Sequence, residues 1–159
     1  MKRYLIAVAL SFSCISAYSQ SIGLLDLINL TSLKPEQVDN YFVAGRIFQL
    51  QFGETVDGML VKHYQSAGKT PKQETVLTGA GIKTTSGDVL HTVSYVTSDP
   101  QNIINLIGQT KNVNLKLTFQ GADAVNNIYI YDNFLYHVVI KLNFAQTVGS
   151  IDITQKYTF

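Results

Sequence analysis

The chain has no tryptophan, one cysteine and three prolines among 159 residues, and only 14% of its residues are charged. Each shortage closes off a class of function. The single cysteine, Cys14, lies inside the opening stretch MKRYLIAVALSFSCISAYSQ. The rest of the chain therefore has no disulfide, thiolate metal site or cysteine nucleophile. Carboxylates are sparse, with Glu36, Glu54 and Glu74 beside eight aspartates. Most of the aspartates, among them Asp57, Asp88, Asp99, Asp123 and Asp132, fall at turns or caps, which suits their side chains without catalysis. No G-x-S-x-G elbow is present, and GADAVNN at 121–127 has too few carboxylates for calcium.

The opening stretch carries Lys2 and Arg3 ahead of an apolar run from Tyr4 to Ile15, then Ala17-Tyr18-Ser19. That is the pattern of a secretory signal peptide, with cleavage predicted before Gln20. Residues 1–19 are then the signal and 20–159 a single exported domain, periplasmic or secreted. Phe12, bulky where a small residue is needed, argues against a lipid anchor on Cys14. Removing Lys2 and Arg3 from twelve basic residues leaves ten against eleven acidic ones. Such a balance offers no footprint for nucleic acid, and no later run is long and apolar enough to span a membrane as a helix.

LTGAGIKTTSGD, residues 77–88, places Gly79, Gly81, Lys83 and Thr84 close together in the manner of a phosphate loop. The pattern fails in two ways. Ile82 precedes Lys83 where glycine is needed, and VLHTVSYV follows as a strand rather than a helix. Without a helix N-terminus there is nothing to hold phosphate. Ser86-Gly87-Asp88 is instead predicted as a hairpin turn, and Gly79 and Gly81 as a bulge or close backbone approach.

What the chain does have is internal echo. PEQVDNYFVAGRIFQLQF at 35–52 aligns without a gap on PQNIINLIGQTKNVNLKL at 100–117. Pro35 and Pro100 each open a helix, with Asp99 or Ser98 as caps for the second and Thr31 or Ser32 near the first. Val38, Tyr41 and Phe42 match Ile103, Leu106 and Ile107 at helical spacing. The period then falls to two, so Phe48, Leu50 and Phe52 are predicted on one strand face, and Val113, Leu115 and Leu117 on another. Farther on, Gly87, Thr92 and Tyr95 match Gly149, Thr154 and Tyr157. Met59–Gln65 and Glu74–Thr84, joined by SAGKTP, and Asn127–Tyr131 and Phe134–Phe144, joined at Asp132-Asn133, supply further strands. A short helix is predicted over Ile22–Asn29. The expected fold is α+β: a tandem α-β-β-β-β repeat, units about 31–97 and 98–159, with an antiparallel sheet of about eight strands and helices packed on one face.

This element order resembles that of the β-lactamase inhibitory proteins. The resemblance implies a secreted protein that grips another protein with an open sheet face, and it carries over no individual binding residue. On the residues themselves, Tyr129 and Tyr131 alternate with Ile128 and Ile130, so one set faces away from the core. Tyrosines there would suit protein contact. His137 sits opposite the apolar set Tyr136, Val138, Ile140, Leu142 and Phe144. Tyr129, Tyr131 and His137 are thus the candidate contact residues of a protein-binding module, with no catalytic, metal or cofactor residue assigned. Two alternatives stand beside it. His63, His91 and His137 suggest a small histidine-dependent enzyme or ligand binder if their strands adjoin. IDITQKYTF, ending in Phe159, suggests the closing strand of a small outer-membrane barrel.

Overall fold

A computed structural model describes residues 22–67 and 72–157. The segment predicted as a signal peptide (Cys14 included), most of the SAGKTP turn and Phe159 lie outside the described residues. The order is α1 (Leu24–Leu30), α2 (Pro35–Gly45), β1 (Phe48–Val56), β2 (Met59–Ser66), β3 (Glu74–Lys83) and β4 (Val89–Thr97), then α3 (Pro100–Gln109), β5 (Lys116–Ala122), β6 (Asn126–Asp132), β7 (Tyr136–Asn143) and β8 (Gly149–Gln155). One turn of 3-10 helix, Thr110–Val113, links α3 to β5. The strands form one antiparallel sheet in the order β1-β2-β3-β4-β8-β7-β6-β5. Each half is a four-stranded meander, and the halves join where β4 pairs with β8.

Both main helices begin at proline, as expected. Asp99 caps α3, its carboxylate accepting from the Gln101 N–H at 3.2 Å. The first cap differs from expectation. Neither Thr31 nor Ser32 serves; the Gln37 side chain instead reaches back to accept from the Lys34 N–H at 2.9 Å. The short α1 is held by its partners, because seven residues do not sustain a helix alone. Its Leu24 N–H donates to the Gln109 side chain of α3 at 2.8 Å, and Leu24, Leu27, Ile28 and Leu30 are buried.

All three helices lie on one face of the sheet. Phe42 of α2 packs at 5.1 Å from Phe48 and 4.6 Å from Tyr64, ring centre to ring centre. The Tyr64 hydroxyl donates to the Asp39 carboxylate at 2.6 Å, and Lys62 donates to the same group. In the second half, Ile103 and Leu106 of α3 are fully buried in the core that contains Val138, Ile140, Ile151 and Ile153. Asn102 ties α3 to the sheet, donating to Glu74 at 2.9 Å and to the Tyr95 hydroxyl at 3.3 Å. Burial pushes the Glu74 carboxyl above its ordinary range, against the hydrogen bonds that favour its charge.

Both edge strands depart from simple alternation. A bulge in β1 between Leu50 and Phe52 reverses the faces beyond it, and a bulge between Leu117 and Phe119 does the same in β5. Phe52 is thus on the opposite face from Phe48 and Leu50. β5 also starts at Lys116, after the 3-10 turn, so Val113 is not part of a strand. The β6–β7 connection is likewise displaced. Asp132 is still paired with His137, and Asn133 makes the turn by accepting from the Leu135 and Tyr136 N–H groups, each at 2.8 Å.

The glycine stretch behaves as a strand end. Register shifts between Leu77 and Ala80, where Gly79 has φ +85°. A Cβ at Gly79 would lie 2.0 Å from the Leu60 carbonyl oxygen. Gly87 also has positive φ, +94°, in a turn where the Thr84 N–H donates to the Asp88 carbonyl at 2.8 Å and the Gly87 N–H donates to the Thr84 carbonyl at 3.1 Å, but nothing lies within 4 Å of its Cβ position. The pair separates backbone strain from steric clash. Gly87→Ala is expected to cost about 1 kcal/mol, and Gly79→Ala about 3 kcal/mol or more, in urea unfolding. Equal losses would contradict the close approach of β2 and β3 at Leu60.

Candidate functional site: the open sheet face

The face away from the helices is uncovered among the described residues. Neighbouring residues along a strand alternate between faces, and direct cross-strand partners share one. One row of direct partners therefore crosses all eight strands on the open face: Phe52, His63, Leu77, Ser94, Asp152, Val139, Ile130 and Phe119. Seven strand spacings make it roughly 34 Å long. The row is close to a palindrome. Phenylalanine stands at both ends, His63 and Leu77 lie inside one and Ile130 and Val139 inside the other, and a hydrogen-bonded polar pair sits at the centre.

The centre is a seam between the two halves. Ser94 donates to the Asp152 carboxylate at 2.6 Å, and the Thr92 and Thr154 hydroxyls lie 3.0 Å apart. These short side chains use their polar groups on each other and leave a low, smooth middle. The ends are apolar and accessible: Phe52 is 53% exposed and Phe119 50%. Phe52 stacks on the His63 ring at 4.2 Å, and His63 in turn contacts the Glu54 carboxylate at 2.8 Å. Phe119 has its ring over Gly121, where a Cβ would meet it at 2.5 Å. Each phenylalanine is thus held flat against its own wing, an arrangement that limits the entropy lost on contact with another surface.

The sequence candidates fall differently. Tyr131 pairs with Val138 and Tyr129 with Ile140, which puts both tyrosines on the helix side. Tyr131 belongs to the core and Tyr129 packs against it. It is Ile128 and Ile130 that face outward, because register to the buried side of β7 decides between the two sets. His137 does lie on the open face, paired across strands with Thr154 and Asp132. Phe52 and Phe119 were missed as surface residues, since only the bulges send them outward.

The three histidines do not assemble. His63 and His137 are both on the open face but are separated by four strand spacings, roughly 19 Å. His91 pairs with Gly81 and shares the helix side with Val93. Among the described residues no group of three His, Cys, Asp or Glu side chains could hold a metal. The sheet is also open rather than closed, with β1 and β5 at opposite edges and unpaired with each other. No described helix is long and apolar enough to cross a membrane. No protein-family model, curated protein or solved structure matches the chain.

Asp132 anchors the β5–β7 wing from the open side. It contacts Lys156 and His137 and accepts from Thr118 at 2.7 Å. Burial pushes its carboxyl up, but the hydrogen bonds from Lys156, Thr118 and His137 outweigh that and hold it well below the usual carboxylate range. A carboxyl depressed by folding contributes stability above the ordinary aspartate value of about 4, and that stability is lost as pH falls through the lower folded value. Asp132→Asn is expected to cost about 1 kcal/mol at neutral pH. The difference from wild type should close as pH falls below about 4. A pH-independent difference in thermal unfolding would contradict this reading.

Proposed function

We propose that the protein is an exported, non-enzymatic protein-binding module, an inhibitor or accessory factor of the cell envelope, that grips its partner with the open sheet face. The observation that carries the reading is the row from Phe52 to Phe119. It offers two accessible aromatic anchors on a rigid sheet, flanking a polar centre, which is the combination of apolar contact and orienting polar groups that protein interfaces use. His137 remains a contact candidate on this face. Tyr129 and Tyr131 act from behind, by packing the sheet on its helices. The resemblance of the element order to that of the β-lactamase inhibitory proteins is in line with the same mode of use. Export rests on the N-terminal pattern of Lys2, Arg3 and the apolar run after them.

Beads carrying residues 20–159 and exposed to envelope and culture extracts of the native cell test this directly. One stoichiometric partner is expected. Its retention should fall at least tenfold when Phe52 and Phe119 both become Ala, a loss typical of two anchor residues. Tyr129→Phe should leave retention unchanged. Retention indifferent to the double substitution, or no retained protein from folded bait, would overturn the open-face reading.

A further inference from the structure

The helix side carries a feature that the open-face reading does not use. α2 covers Phe48 but stops short of the outer edge of β1, leaving Leu50 half exposed although it lies on the helix side opposite Tyr64. The result is a hollow of about 630 Å³. Its apolar lining comes from Phe42, Val43, Phe48, Leu50 and Tyr64, and Arg46 stands at its margin. That volume falls within the roughly 300–1,000 Å³ of small-molecule sites, which are commonly apolar with a few polar groups that fix orientation.

The charges in the hollow are unequal in their availability. Asp39 also lines it, but its carboxylate is already committed to the Lys62 ammonium and the Tyr64 hydroxyl. Those hydrogen bonds, with the charge of Lys62, outweigh burial and hold Asp39 below its ordinary range, so it stays ionised and paired. Arg46 has no side-chain hydrogen bond or ion pair among the described residues. Its backbone is fixed in the left-handed conformation at the C-terminus of α2, φ 51°, with its N–H donating to the Val43 carbonyl. The side chain therefore leaves from a defined point beside the exposed apolar pair Val43 and Leu50. It is the one arginine among the described residues.

We propose that this hollow binds a small amphipathic carboxylate, an aryl or alkyl acid whose apolar body lies on the exposed Val43 and Leu50, backed by the buried Phe42, Phe48 and Tyr64, and whose carboxylate pairs with Arg46. Charge complementarity selects this occupant. A neutral apolar ligand leaves the guanidinium unused, and a cationic one meets Arg46 with no free carboxylate to balance it. A planar guanidinium also matches a carboxylate with two parallel N–H donors, which an ammonium does not.

Phenylbutyrate and its uncharged amide, titrated separately into the folded protein and followed by two-dimensional amide NMR, test the assignment. The carboxylate is expected to bind about tenfold more tightly than the amide, a difference in line with one charge-assisted pair. Its shifts should centre on residues 42–50 and Tyr64. Arg46→Gln should bring the carboxylate down to the affinity of the amide while leaving the amide itself unchanged. Arg46→Lys should restore only part of the difference. Equal affinity of acid and amide, shifts centred elsewhere, no saturable shifts up to the solubility limit, or an undiminished preference in Arg46→Gln would each overturn the proposal. Because the hollow lies on the opposite side from Phe52 and Phe119, the double alanine variant of that face should bind phenylbutyrate normally.

Discussion

The pairing of β4 with β8 is the constraint on which the rest of the structure depends. Each half alone would be a four-stranded meander with a free inner edge, and an unpaired edge strand invites association with other chains. Pairing over six residues, from Thr92 with Thr154 to Thr97 with Gly149, removes both inner edges at once. On the helix side the same pairs bring Val93 and Tyr95 against Ile153 and Ile151, all essentially inaccessible. On the other side they bring together hydroxyls and Asp152. One ladder thus builds the middle of the core and the polar centre of the open face.

The remaining edges, β1 and β5, are treated alike. Both carry a bulge near the middle, and bulges at sheet edges twist the backbone away from further pairing. The same bulges turn Phe52 and Phe119 outward. Protection of the edge and display of an aromatic anchor therefore follow from one local irregularity, present once in each half. The shared geometry accounts for the near-palindromic row and for the accessible phenylalanines at its two ends.

Much of this was legible in the chain. Pro35 and Pro100 mark helix starts because proline loses nothing at the first helical position. Gly79 marks a strand irregularity because only glycine accepts both its φ and the nearby Leu60 carbonyl. Alternation along β7 identified its buried residues, Val138, Ile140 and Leu142, because that strand is regular. Two things were hidden. A bulge adds one residue without a strong local signature, so Gln51 and Thr118 look like ordinary alternating positions, and everything after them changes face. Period two also cannot choose between Tyr129 with Tyr131 and Ile128 with Ile130, since both sets tolerate burial. The choice is made by the partner strand, through Tyr131 opposite Val138. The hollow beside Arg46 is a product of where α2 ends relative to the edge of β1, a tertiary relation that no local pattern encodes.

Native-state amide hydrogen exchange tests the central claim, that the two halves share one sheet through the β4–β8 seam. The account predicts that the slowest amides of both halves, in β4 and β8 above all, exchange only through global unfolding and report one common free energy. Two separate free energies, with the β4–β8 amides exchanging early, would show two independently opening units and contradict it.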